Sequence, residues 1–286
     1  MDKSLEDQIV LIEKLVSIGR LQLEDFDGLR QAEDQKAPED LKQAAILKTQ
    51  EMHMRVFWEL AAFLTEKLRT EKDSNFFYYV PFLRTLMENY AELLYISYQP
   101  SREQFGIAIG NYLFVLAWRN SSSNGNAEAD NLASLYEEYL GHMKPVLDKE
   151  NITFPDTASG LSKNKFKDSG FAYPSPEATF KEQYFKDCST DTRKVFDFKP
   201  ETIYNHYRWF SDYVHGQVYV LAKFDKPSTE GLWLIAELAK LGLLMAELTN
   251  KKLLNDRRKT EFETWVKDFG DQRAAFVKYW QEKRGS

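Results

Sequence analysis

The sequence predicts an all-α protein, an up-and-down bundle of about eight helices. Three observations carry that prediction. Apolar residues recur at spacings of three and four along almost the whole chain. No alternating apolar and polar run pairs with a second one to make a hairpin. Only 13 Gly and 9 Pro punctuate 286 residues, which favours few, long elements.

The elements follow in order. Helical spacing runs over 4–30, with Ile9, Ile12, Val16 and Leu23 near one face. Pro38-Glu39-Asp40 has the form of a helical first turn, where proline fits and acids face the positive end of the dipole. That second helix reaches to about Arg69, with Met52, Val56, Leu60, Phe63 and Leu64 as its stripe. Asp73-Ser74-Asn75 breaks the pattern. The third helix starts at Pro81 or is kinked there, because proline lacks the donor N–H. A fourth helix covers about 102–119 and carries Gly106 and Gly110, a spacing that lets another helix approach closely. A loop at 121–126 precedes a fifth helix over about 127–144, expected to stop before Pro145.

Residues 148–199 differ. Pro155, Pro174, Pro176, Gly160 and Gly170 fall in a stretch of little periodicity. It reads as a long irregular insertion with one short helix near 176–186. Helices resume over about 201–222, 228–254 and 258–282. The chain is therefore read as a single helical domain, 1–286, with 148–199 inserted before the last three helices.

Composition narrows the functional classes. Charged residues make up 29% and hydrophobic ones 43%, a globular balance and not a disordered one. A net charge of −6 gives no support to a strong duplex-DNA binder. The single cysteine, Cys188, excludes an internal disulfide and a cysteine-based zinc site. Met1–Asp7 holds acids and no basic-then-apolar pattern, unlike a secretory signal. The longest uncharged run, Gln104 to Trp118, has 15 residues and is too short to span a bilayer. The expectation is a cytoplasmic protein with no membrane partner. Phosphate-binding glycine loops, a His-Glu-x-x-His helix and a Gly-x-Ser-x-Gly elbow are all missing from the sequence. The nearest di-iron pattern is one Asp212-x-x-His215, and His53 and His142 have no acid pattern that makes a ligand set. Neither a metal nor another cofactor is expected. Lys251, Lys252, Arg257 and Arg258 read as a helix surface or helix end.

One segment stands apart: Tyr204-Asn-His-Tyr207-Arg208-Trp209-Phe-Ser211-Asp212-Tyr-Val-His215-Gly216. His215 lies seven positions after Arg208. On a helix they point within about 20° of one direction. Ser211 falls between them, so the three form one polar stripe. Trp209, Phe210, Tyr213 and Val214 supply apolar flanks. As a purely structural feature, Arg208 and His215 would pair with acids on neighbouring helices and the tyrosines would pack in the core.

Arg208 followed by His215, late in an all-α chain, resembles the Arg-x4–6-His signature of the HEPN superfamily. The segment Phe82-Leu-Arg84-Thr-Leu-Met-Glu88-Asn-Tyr-Ala-Glu92-Leu-Leu-Tyr95 adds to the likeness. Together the two segments are similar to uncharacterised bacterial helical proteins placed near that superfamily. The resemblance implies a metal-independent endoribonuclease, a toxin or antiviral defence effector, built as a homodimer whose groove takes one Arg and one His from each protomer. It implies Arg208 and His215 as the catalytic pair and an antitoxin or defence partner protein. Trp209 departs from the pattern, since many active members have a polar residue there.

The chemistry fits those residue types. Attack by an RNA 2′-hydroxyl needs a base for its proton, an acid for the leaving oxygen and a cation for the charged phosphorane. Histidine titrates near neutrality and serves as base or acid. Arginine keeps its charge and forks onto two phosphate oxygens. Ser211 and Asp212 are candidate supporting residues, as are Arg84 and Glu88, an i,i+4 ion pair able to bridge helices if buried. Tyr204, Tyr207 and Trp209 are candidates for stacking single-stranded RNA bases. Two alternatives stand beside this one: a non-catalytic helical binding or scaffold protein, and a nucleotide-binding partner of a nucleotidyltransferase.

Overall fold

The computed structural model describes residues 3–36, 41–70, 79–122, 127–161, 176–214 and 227–285. Among them lie eleven α-helices and no strand, so the all-α class holds. The long helices are α1 (Lys3–Lys36), α2 (Leu41–Thr70), α3 (Val80–Tyr98), α4 (Ser101–Ser122) and α5 (Ala127–Lys149). Three short ones follow: α6 (Pro176–Lys181), α7 (Gln183–Cys188) and α8 (Thr190–Phe196). Then come α9 (Pro200–Val214), α10 (Pro227–Leu248) and α11 (Lys259–Gly285), with a π turn at Thr249–Leu253 closing α10.

Two expectations need correction. Helix α5 does not stop before Pro145 but carries it inside and runs on to Lys149. The carbonyl that proline would crowd belongs to Gly141, one turn back, where no side chain restricts the backbone. Residues 176–196 form three helices where one short helix was expected. None of the three exceeds seven residues, too few turns to show a periodicity. Pro81 sits in the first turn of α3, as proline's geometry favours. Pro38 and the expected first turn of α2 lie outside the described residues, as do 162–175 of the insertion.

The chain divides into two compact units. The first comprises Met1–Gly28, Glu51–Leu94 and Ser175–Ser286, the second Leu29–Gln50 and Tyr95–Pro174. Helices α1, α2 and α3 each supply residues to both.

The second unit is built on α4 against α5. Phe105, Ile109 and Leu113 of α4 share one buried cluster with Leu132, Tyr136 and Leu140 of α5. Gly106 and Gly110 are buried on α4, where their spacing suggested close approach. Tyr136 is fully buried, yet its hydroxyl donates to the Pro155 carbonyl at 2.8 Å. Burial, with the nearby Asp156 charge, pushes that phenol up to about 12. Helix α5 ends in a Schellman turn: Asn151 is left-handed (φ 54°), and the N–H groups of Ile152 and Asn151 donate to the Leu147 and Asp148 carbonyls. Arg102 of α4 then donates to the Glu150 and Asn151 carbonyls, at 2.7 and 3.0 Å. A cation thereby sits at the negative end of α5.

The first unit is built around α10. From Leu234 to its end this helix is buried on every side apart from Ala236. Helix α1 packs against it so closely that a Cβ on Gly242 would lie 2.9 Å from Leu15 Cγ. A Cβ on Gly19 of α1 would overlap the indole of Trp58 on α2, so glycine is required at this crossing. Gln22 of α1 donates to the Ala246 carbonyl at 3.0 Å. Asp25 of α1 takes a two-pronged ion pair from Arg258, just past the π turn, with Nη2 3.0 Å from Oδ1. The Arg258 hydrogen bond, working against burial, holds the Asp25 carboxyl below its ordinary value.

Candidate functional site

Helix α9 carries the candidate motif as far as Val214, and its seating follows from its sequence. Ile203 and Phe210 are buried, while Tyr204, His206 and Tyr207 are half-buried around them. At 100° per residue, Arg208 lies about 140° around the helix from Ile203. It is exposed accordingly. Tyr90 of α3, Phe180 of α6 and Phe185 of α7, all fully buried, form the aromatic seat. The Tyr207 ring joins it, 6.4 Å from that of Phe180.

The two sequence segments meet here. Arg84 Nε donates to Glu88 Oε1 at 3.0 Å along α3. Tyr207 of α9 donates its hydroxyl to the same oxygen at 3.3 Å. The Arg84 guanidinium lies 6.0 Å from the centre of the Tyr207 ring. Burial and the Glu88 charge push the Tyr207 phenol above its ordinary value, with Arg84 opposing them. Tyr207 stays a neutral donor at neutral pH.

The other candidates are placed as follows. Arg208 makes no ion pair or hydrogen bond among the described residues, and it stands apart from the Arg84–Glu88–Tyr207 cluster. Tyr204 holds the Lys181 ammonium over its ring at 4.6 Å. Trp209 packs against Phe210, ring centres 5.4 Å apart. Ser211 and Asp212 are half-buried. His215 and Gly216 lie outside the described residues.

Three polar clusters escaped the sequence reading. His206 of α9 is 2.9 Å from Glu237 of α10, which also accepts from Lys240 at 2.6 Å. Burial alone would raise the Glu237 carboxyl, but the His206 hydrogen bond and the Lys240 charge outweigh it and hold it below its ordinary value. Glu247 is fully buried and closes the N-terminus of α8. It accepts from the Asp191 and Thr192 N–H groups, both at 2.9 Å, and from the Thr192 hydroxyl at 2.6 Å. Lys251 completes that cluster by pairing with Glu247 and Asp191. His53 of α2 faces Asn89 Oδ1 from Nδ1 at 3.2 Å and Glu92 from Nε2 at 3.5 Å. Burial lowers its pKa, with the Asn89 bond opposing, so it is neutral at pH 7. The signal for the first two was present: Glu237, Lys240 and Glu247 stand in a stretch apolar on all sides. Such a helix is buried, and buried charges must be paired.

No group of three or more His, Cys, Asp and Glu suited to a metal ion occurs among the described residues. Nor is any described helix long and apolar enough to cross a membrane. No family model matches the chain, and no curated protein or solved structure is significantly similar to it.

Proposed function

We propose that this chain is a HEPN-like, metal-independent endoribonuclease acting on single-stranded RNA, with Arg208 and His215 as its catalytic pair and a homodimer as its working form. The observation that supports this reading over a scaffold is the state of Arg208. An arginine serving as a buried structural ion pair would have an acid partner. Arg208 is exposed and has no such partner among the described residues, on a helix whose opposite face is locked by Ile203, Phe210 and Tyr207. An arginine presented in that way is available to a phosphate.

In the proposed reaction a base takes the 2′-hydroxyl proton, the 2′-oxygen bonds to phosphorus and the bond to the 5′-oxygen breaks. An acid returns a proton to that oxygen. His215 supplies one of these transfers and Arg208 neutralises the phosphorane. Tyr204 and Trp209 are the proposed stacking surfaces for bases, while the Arg84–Glu88–Tyr207 cluster positions α9. A toxin or defence setting, with a protein partner that restrains the nuclease, belongs to the same proposal.

RNA cleavage in EDTA tests it, with wild type beside Arg208→Ala and His215→Ala and each variant checked for intact helix content and melting. Cleavage by wild type and loss of about a hundredfold or more in both folded variants supports the pair. Equal cleavage by all three, or none by any against diverse RNAs, counts against it.

A further inference from the structure

A hollow of about 230 Å³ lies inside the first unit, away from α9. It is framed by α1, α8, α10 and α11, and its walls are apolar: Leu11 and Ile12, Phe196, Ile235 and Phe269. Two residues explain why it is not filled. Ala236 and Ala239 line it from α10, the helix that elsewhere fills its surroundings with leucine. An apolar cavity of roughly 150 Å³ is already enough to take up benzene, and an apolar void does not hold ordered water. Ala236 is exposed, so the hollow opens to solvent beside it.

The polar groups are gathered on one side, where Gln8, Gln272 and Arg273 line the hollow. Arg273 is half-buried and donates to the Val195 carbonyl and, at 3.0 Å, to that of Phe196. Its guanidinium lies 4.8 Å from the centre of the Phe196 ring. It forms no ion pair among the described residues. Burial lowers its pKa, and Asp197, which acts on it from beyond ion-pair distance, only opposes that. A guanidinium carries five N–H donors, and two are used here, which leaves three for a carboxylate. An apolar chamber whose polar side carries a guanidinium held by two carbonyls, with no ion-pair partner among the described residues, has the charge and shape complement of an amphiphilic anion.

We propose that this hollow binds a medium-chain fatty-acid carboxylate, its tail among Ile12, Ile235 and Phe269 and its head on Arg273. The site is separate from Arg208 and stands whether or not the chain cleaves RNA.

Calorimetric titration of the full chain with decanoate, below its micelle concentration, tests the proposal, with decanol as the neutral-head control. Decanoate is expected to bind, and decanol to bind about tenfold or more weakly, since a charge-assisted pair is lost. Ala236→Phe, a change at the exposed mouth, and Ala239→Leu, a change that fills the chamber, are each expected to abolish binding while the protein still melts cooperatively. Arg273→Lys keeps the charge but loses the fork, and is expected to weaken decanoate binding while leaving decanol binding unchanged. No decanoate binding by wild type overturns the proposal. So does decanol binding as tightly as decanoate, or decanoate binding unaffected by a folded Ala236→Phe.

Discussion

The two units of this protein solve the burial problem in different ways. Of the buried polar and charged residues among those described, the second unit holds only Thr49 and Gln50. The first holds the rest, including Glu51, His53, Glu237, Lys240, Glu247 and Asn250. The second unit's core is aliphatic and aromatic, and beside the buried Tyr136 hydroxyl its polar bonds include those at the end of α5, from Arg102 and the Schellman turn. The first unit carries charges into its central helix and satisfies them there. Apolar packing is tolerant of shape, whereas a buried carboxylate with four donors accepts one arrangement. The unit with the exacting core is also the one that seats α9 and its exposed arginine.

The largest effect should come from Glu247→Ala. It leaves the Asp191 and Thr192 N–H groups without their acceptor and Lys251 with Asp191 alone, and should cost roughly 3–5 kcal/mol in urea unfolding. A cost near zero would remove the contrast between the units. Phe105→Ala in the second unit should cost about 3–4 kcal/mol by cavity formation alone, with no added dependence on pH.

A smaller, pH-dependent effect belongs to His53. Burial places its folded pKa below the unfolded value of about 6.5, so the unfolded chain takes the proton first. Stability is complete above that value and declines as pH falls through it toward the folded pKa, by at most about 1.4 kcal/mol per pH unit. Urea midpoints measured between pH 7 and pH 5 should fall for wild type and fall less for His53→Gln. Parallel slopes would mean that His53 is not the group responsible. The smallest effect is Leu113→Met, expected below about 1.5 kcal/mol. Glu247→Gln, equally conservative in volume, should cost more. Equal costs would erase the distinction between the two cores.

The helical class was legible because periodicity and scarce Gly and Pro act over long stretches. The positions of α4 and α10 followed from the same signal. What escaped was short or distant. Helices α6 to α8 are too brief to carry a period, and Pro145 reads as a stop unless Gly141, one turn back, is taken with it. At the candidate site, the Arg84–Glu88 pair was legible from its spacing. The arrival of Tyr207 on Glu88, across 119 residues, is a product of packing that no local spacing encodes. The His206–Glu237 bond is of the same kind, although charges in an otherwise apolar helix pointed to a buried partner.

The account turns on whether Arg208 and His215 act as a ribonuclease pair. The most direct measurement is product analysis on one single-stranded RNA, beside the same strand with 2′-deoxy sugars throughout, in EDTA with wild type and Arg208→Ala. The account predicts that wild type cuts the RNA to leave a 2′,3′-cyclic phosphate and a 5′-hydroxyl, spares the deoxy strand, and loses that activity in Arg208→Ala. Cutting of both strands, cutting by Arg208→Ala at the wild-type rate, or an intact RNA would contradict it.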